Sequence, residues 1–211
     1  MINILYDDAH ICVCEKPVGV DSEKDMTKLL SSQLECEIYP VHRLDKAVGG
    51  LMVYTKTKRS ASALSEAVRE RALIKEYYCI VSGVPEKEAD TLEDLLYRDA
   101  RSGKTFVVTR SRKGVKDAKL DYKLISTKKS QVGTLSLLRV RLHTGRTHQI
   151  RVQFASRKLP LLGDRRYGGN KASKNIALFS CQLGFCHPIT KAPIEFSLVP
   201  PDEFPWNEFE Y

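Results

Sequence analysis

A mixed α/β domain (α+β), built mainly of hairpin-connected strands with a few flanking helices, is the fold class this sequence predicts. Three observations carry that reading. Short apolar runs punctuated by Gly, Pro and Asp recur along the whole chain, the pattern of strands and turns. Two segments, 26–36 and 58–71, instead place apolar residues at helical spacing. A length of 211 residues with 42% hydrophobic content suffices for one substantial core, so a single domain spanning 1–211 is expected.

Taken in order, Ile2–Tyr6 and Ile11–Glu15 read as two short strands around an Asp-Asp turn, and Lys16-Pro17-Val18-Gly19-Val20 leaves the second through a loop. The helix over 26–36 carries Met26, Leu29, Leu30 and Leu34 on one face. The helix over 58–71 is the clearest in the chain, with Ala61, Leu64, Val68 and Ala72 in register, Ser60 as its expected N-cap and Arg69 and Arg71 at its end. Residues 75–83 alternate as a strand ending in Gly83, 84–97 read as mixed and acidic, and Thr105–Thr109 is a short strand between basic ends. Leu120–Ser126 and Thr134–Leu142 read as paired strands. Gly145 turns the chain out of the second, and Ile150 and Phe154 then take helical spacing, with Thr147 placed to cap. Ala177–Phe185 and Glu195–Val199 complete the strands. No internal repeat interrupts this order.

The bulk chemistry narrows the function classes. Lys and Arg outnumber Asp and Glu by 34 to 26, a net charge of +8 that favours a polyanionic partner, nucleic acid first. No apolar stretch is long enough to span a bilayer, and the start lacks a basic region followed by a small-residue cleavage site, so no membrane association and a cytoplasmic location are expected. The six cysteines sit largely in strand-like apolar runs and lack the paired spacing of a zinc site, which makes them buried reduced thiols and predicts no metal. No organic cofactor is expected either, and the chain is read as a monomer.

The chain is organised around Val41–Thr57. His42, Arg43, Asp45 and Lys46 crowd ionisable groups into five positions. Gly49-Gly50 reads as a tight bend, and Leu51-Met52-Val53-Tyr54 as the buried strand it enters. A carboxylate in a loop beside a sheet, with an Arg two residues away, suits catalysis; the same residues also suit a solvated loop ion pair. Three further elements matter. Lys75-Glu-Tyr77-Tyr-Cys79-Ile-Val81-Ser-Gly83 places Tyr77 in a strand, where a packed core aromatic is the plain alternative. Gly145-Arg146-Thr147-His148-Gln149-Ile150-Arg151 is long and polar, and Gly163-Asp164-Arg165-Arg166-Tyr167-Gly168 is a second polar turn. The cationic segment 98–119, with Arg110, Arg112 and Lys113 among its residues, reads equally as a phosphate-contacting loop or as a solvated charged one.

His42-Arg43-Leu44-Asp45, the Lys75-x-Tyr77 strand, the run Gly145–Arg151 and the Gly163–Gly168 turn together resemble the motifs of RluA-type pseudouridine synthases, over about 16–199 of the chain. The resemblance departs at Cys79, where Ala is usual, and at Val48-Gly49, where Thr-Ser is usual. It implies the pseudouridine synthase catalytic fold, a bent, mainly antiparallel sheet with flanking helices and a central cleft, without the separate N-terminal RNA-binding domain of many members. It implies catalytic Asp45, Tyr77 and Arg151, with Arg151 pairing the carboxylate and Tyr77 stacking on the base. It further implies RNA contacts through His42, Arg43, Arg146, His148, Arg165 and Arg166, while Asp164 is read as structural. The partner is then ribosomal or transfer RNA, whose target uridine must leave its stack. In the implied reaction the bond from ribose to uracil nitrogen breaks, the base turns, and a carbon–carbon bond forms; an ionised Asp45 acts as nucleophile or base. Two other functions stand beside it: a catalytically inactive RNA-binding homologue of the same fold, and an unrelated carboxylate hydrolase, for which no second acidic residue is placed.

Overall fold

The computed structural model describes residues 1–211. In chain order its elements are β1 (Ile4–Asp7), β2 (Ile11–Lys16), α1 (Asp25–Leu34), β3 (Tyr39–Pro40), β4 (Gly49–Thr55), α2 (Lys58–Arg69), β5 (Ile74–Ser82) and β6 (Ala89–Arg98). They continue as β7 (Thr105–Val108), β8 (Val115–Ser130), β9 (Gly133–Leu142), α3 (Gln149–Ser156), β10 (Leu178–Cys186), β11 (Pro193–Ser197) and a 3-10 turn at Trp206–Glu208. The mixed α+β class with mostly antiparallel strands is as expected, and no helix is long and apolar enough to cross a membrane. The chain divides into two compact units: Met1–Glu76 with Phe179–Val199, and Tyr77–Leu178 with Pro200–Tyr211.

In the first unit β2 pairs antiparallel with β1 and β4, and β10 pairs antiparallel with β11. Every residue of β4 is buried, which is why its sequence reads as a continuous apolar run instead of an alternating one. One face places Leu51 and Val53 in a core with Ile11, Val13, Leu64 of α2, Leu183 and Phe185. The other edge of β4 is filled in three ways. β10 pairs parallel with it at Gly49 and Gly50, the His42 ring accepts the Val53 N–H, and β3 pairs at Tyr54 and Thr55. Gly49 and Gly50 therefore lie inside the strand, a correction to their reading as a bend before it. Gly50 has φ +112°, and a Cβ there would stand 2.3 Å from the Ser180 carbonyl oxygen, so the close parallel pairing admits only glycine.

In the second unit β8 pairs with β6 and β9, and β7 closes the far edge on β6. Here 84–97, read from sequence as mixed and acidic, contains strand β6. Its Leu92 and Leu96 are buried while Glu93 is exposed, so the acidic residues mask a strand with one dry face. α3 packs Val152 against Leu96 and Ala118, and Phe154 meets Tyr122 edge-on with centroids 5.5 Å apart.

Both helix starts differ from expectation. Thr57, not Ser60, caps α2, its side chain accepting the Ser60 N–H at 3.2 Å. α3 begins after His148, which takes the left-handed conformation at φ 55° and supplies no side-chain cap, so Thr147 does not hold that place. On α1, Met26 and Leu30 are buried but Leu29 is exposed, so the apolar face is narrower than the sequence suggests.

Candidate active site

Asp45 lies in the first unit, in the loop between β3 and β4, and is half-buried. A turn bond from Val48 N–H to the Asp45 carbonyl (2.9 Å) closes the loop behind it. The carbonyls on both sides of Asp45 are anchored. The buried Ser22 hydroxyl donates to Leu44 O at 3.0 Å, and Gly19 N–H donates to Lys46 O at 2.8 Å. The Lys16 ammonium donates to Pro17 O and Val20 O, both at 2.8 Å, and to Lys46 O at 3.4 Å. Tyr54 of β4 extends the support by donating its hydroxyl to Ser22 O at 2.8 Å.

Lys16 is fully buried, and nothing local in the sequence signals it: one of its carbonyl partners lies thirty residues downstream. Burial lowers its ammonium from 10.5 to about 8, opposed by the negative charges of Asp21 and Asp45. Replacing it as Lys16→Met removes the described donor from the Pro17 and Val20 carbonyls and weakens the anchoring of Lys46 O, and is expected to cost about 2–3 kcal/mol, read by thermal unfolding. The titration has a separate signature. Since the folded group releases its proton near 8 and the unfolded one near 10.5, the unfolded chain binds more protons in that window. This group then makes stability rise with pH, while the positive charge near Asp45 is lost. A single-turnover rate that falls above pH 8 with no fall in melting temperature is the expected result, and Lys16→Met should lack that arm of the profile.

His42 is half-buried, and burial followed by the like charge of Lys75 pushes its imidazole down to about 3. Its Nε2 accepts the Val53 N–H at 3.2 Å, which fixes a neutral ring with the proton on Nδ1. The imidazole therefore bears no charge near neutral pH. Arg43 is exposed and meets Glu23 at 3.6 Å, a loose surface pair worth little to stability.

Tyr77 and Arg151 belong to the second unit. Tyr77 is buried on β5, on the strand face shared by Cys79 and Val81, while Tyr78 on the opposite face meets Tyr211 at 4.9 Å between centroids. Arg151 sits in the first turn of α3, 8% exposed, and donates through Nε and Nη2 to the two oxygens of Asp164, each at 2.8 Å. That two-point geometry fixes the guanidinium plane. Asp164 itself is 1% exposed and accepts the Arg166 N–H at 3.1 Å. The Tyr167 ring lies beneath the guanidinium, 5.3 Å from Cζ.

The remaining sequence-predicted residues are also in the second unit. Arg146 is half-buried and donates to Asp117 O at 2.9 Å, and His148 Nδ1 lies 2.9 Å from the Tyr167 hydroxyl. Arg165 is exposed, and Arg166 donates to Gly103 O at 3.0 Å. Arg110, Arg112 and Lys113 are exposed in the β7–β8 connection, where Arg112 stacks 4.5 Å over the Tyr97 ring. The structure thus gathers Arg151, His148 and Arg166 around Asp164 and Tyr167. Arg110, Arg112 and Lys113 form a separate exposed group. Lys16, Ser22 and Tyr167 were not among the residues singled out from sequence, although the Lys-Pro-x-Gly and Gly-Asp-x-x-Tyr-Gly patterns contain two of them.

Comparison with known proteins agrees with these motifs. A family model described as RNA pseudouridylate synthase matches residues 10–156. An uncharacterized RNA pseudouridine synthase of Aquifex aeolicus is 32% identical, with 96% of this chain and 71% of that protein aligned. The ribosomal large subunit pseudouridine synthase D of Xanthomonas campestris is 32% identical over 96% of this chain and 67% of its own length. Among solved structures, human RNA pseudouridylate synthase domain containing 1 superposes with a TM-score of 0.84 at 20% identity, covering 97% of this chain and 85% of that one. Its counterpart, domain containing 4, gives 0.77 at 24% identity over 94% and 88%. At those identities the two superpositions speak to the fold alone.

Proposed function

The chain belongs to the RNA pseudouridylate synthase family, isomerases acting on RNA, and from that premise we propose that it converts specific uridines of ribosomal or transfer RNA to pseudouridine with Asp45, Tyr77 and Arg151 as its catalytic residues. The observation that carries the reading is the held carboxylate. Asp45 is half-buried in a loop whose flanking carbonyls are tied down by Ser22 and Lys16, which holds in place the backbone that carries the carboxylate.

In this reading Asp45 attacks or deprotonates at the sugar as the bond from ribose C1′ to uracil N1 breaks, and the electron pair stays on N1. The uracil turns in place and C1′ bonds to C5 as the bond from Asp45 to C1′ breaks or as the sugar proton held by Asp45 returns; the proton on C5 then leaves, and N1 gains one. No atoms are lost and no cofactor enters the balance. Arg151 supplies the positive charge that supports the carboxylate chemistry, and Tyr77 stacks on the base and assists departure of the C5 proton. The target nucleotide leaves its stack to reach these groups. His42, Arg43, Arg146, His148, Arg165 and Arg166 contact the RNA around it, His42 as a neutral group.

Arg110, Arg112 and Lys113 are exposed on one connection and supply phosphate contacts. Neutralising all three is expected to weaken RNA binding and to flatten the slope of log K against log salt by about 2, at about 0.7–0.9 per phosphate lost. Filter binding across a salt series measures it; an unchanged slope removes this connection from the RNA surface.

Chemical mapping of pseudouridine in unmodified ribosomal and transfer RNA after incubation with the purified chain tests the function. A new pseudouridine at a defined position in either RNA is the expected outcome. RNA binding with no product anywhere would instead favour the inactive homologue, to which the Val48-Gly49 departure from the family pattern points.

A further inference from the structure

We infer that Tyr167 is a positioning residue for Arg151 and that it links the setting of that guanidinium to RNA contact at the cationic turn Arg101–Lys104. The inference rests on the catalytic reading of Arg151 given above.

Residues 164–167 form a bracket between the two places. On one side Asp164 grips Arg151 through two bonds and the Tyr167 ring underlies it. On the other, Arg166 donates to Gly103 O at 3.0 Å, and the Tyr167 hydroxyl accepts the Thr105 N–H at 2.8 Å. The same hydroxyl meets His148 Nδ1 at 2.9 Å, at the start of the helix that carries Arg151. One phenol can satisfy both neighbours, accepting from Thr105 and donating its proton to the imidazole. Burial raises the Tyr167 phenol, so it keeps that proton near neutral pH. A single oxygen thus joins the first residue of β7, the left-handed residue that opens α3, and the bracket.

Lys104 supplies the link to RNA. Its ammonium lies 5.2 Å from the Tyr167 ring centre and 5.6 Å from that of the exposed Phe106. Attraction of a cation to a ring face is weak compared with its attraction to a phosphate. A phosphate arriving at the turn draws Lys104 from the ring that also underlies Arg151. Docking at the turn then alters the electrostatic surroundings of the guanidinium.

The test separates rate from affinity. Tyr167→Phe keeps the ring and removes the oxygen. Its single-turnover rate on saturating RNA is expected to fall about tenfold, the scale of a small misplacement of a catalytic group, with the RNA dissociation constant held within about twofold. Because Tyr167 acts through Arg151, the same change in an Arg151→Lys background should add no further loss. Lys104→Met should lower the saturated rate as well as the affinity. A wild-type rate in Tyr167→Phe, or a full additional tenfold loss beside Arg151→Lys, overturns the positioning role. A change in affinity alone for Lys104→Met overturns the link to the turn, and this variant serves also if Tyr167→Phe unfolds. An Arg151→Lys enzyme as fast as wild type, or a wild type that forms no pseudouridine, overturns the reading of Arg151 and the inference with it. Product formation by wild type with an unaffected Tyr167→Phe sinks the inference alone.

Discussion

Asp45→Asn is expected to give a folded chain that still binds RNA and forms no measurable pseudouridine, a fall on the order of 10⁴ or more in single-turnover rate. The substitution keeps the volume and removes the charge. Its selectivity follows from how the loop is held. The Asp45 main chain closes the turn with Val48, and its neighbours' carbonyls take the bonds from Ser22, Gly19 and Lys16. Those contacts survive the change from carboxylate to amide. Lys16 loses one favourable negative neighbour but retains Asp21. Product formation by Asp45→Asn at a rate near wild type would remove Asp45 from the chemistry and reopen the assignment of the whole loop.

Asp164→Asn should be damaging in a different way, to the fold and the rate together. The carboxylate is 1% exposed and takes two short bonds from a guanidinium that is itself 8% exposed. Asn offers one oxygen and turns an NH₂ toward a donor. A buried guanidinium stripped of half its acceptor costs about 3–5 kcal/mol, against a total stability of about 5–15 kcal/mol for a domain. For a chain of this length that is a fall of about 10 °C in melting temperature. Arg151 would also lose the two-point grip that fixes its plane, and at a temperature where the variant is folded its rate should be reduced about a hundredfold. Asp164→Glu is not expected to rescue either quantity. The Asp164 carboxylate is already buried with both oxygens seated on Arg151, so an added methylene must displace packed neighbours or break that register. Thermal unfolding and a rate measured below the transition check both halves; a stable Asp164→Asn would show that Arg151 is held by other groups.

How much of this was legible in the sequence varied with the range of the interaction. β4 could be read because a strand buried on both faces leaves an uninterrupted apolar run. The existence of α3 could be read because Ile150 and Phe154 take helical spacing, but its start could not, since the left-handed His148 that opens it leaves no cap pattern in the sequence. β6 could not, since its solvent face carries Glu93 and Thr91 and its buried face shows only Leu92 and Leu96 at four-residue spacing. Lys16 looked like the end of a strand beside a Pro-Gly loop. Its burial depends on three carbonyls, one from the Asp45 loop, which no local window contains. The role of Asp164 was half visible: a structural carboxylate could be anticipated, while its partner across thirteen residues could not. Tyr167 gathers groups from β7, α3 and the 164–167 bracket, and only three-dimensional adjacency reveals that.

The parallel pairing of β4 with β10 sets the order in which the molecule can be completed. Gly50 meets Ser180, and all of Tyr77–Leu178, which belongs to the second unit, is threaded between them in sequence. On the ribosome the first unit must therefore wait, with the Gly49–Gly50 edge of its central strand open, until the chain beyond 178 has emerged. Such an edge is a template for wrong partners, and contacts of this sequence separation form late. The nascent chain is accordingly most vulnerable to self-association while its second unit is being synthesised, and a stalled or truncated product ending near 178 inherits that hazard permanently.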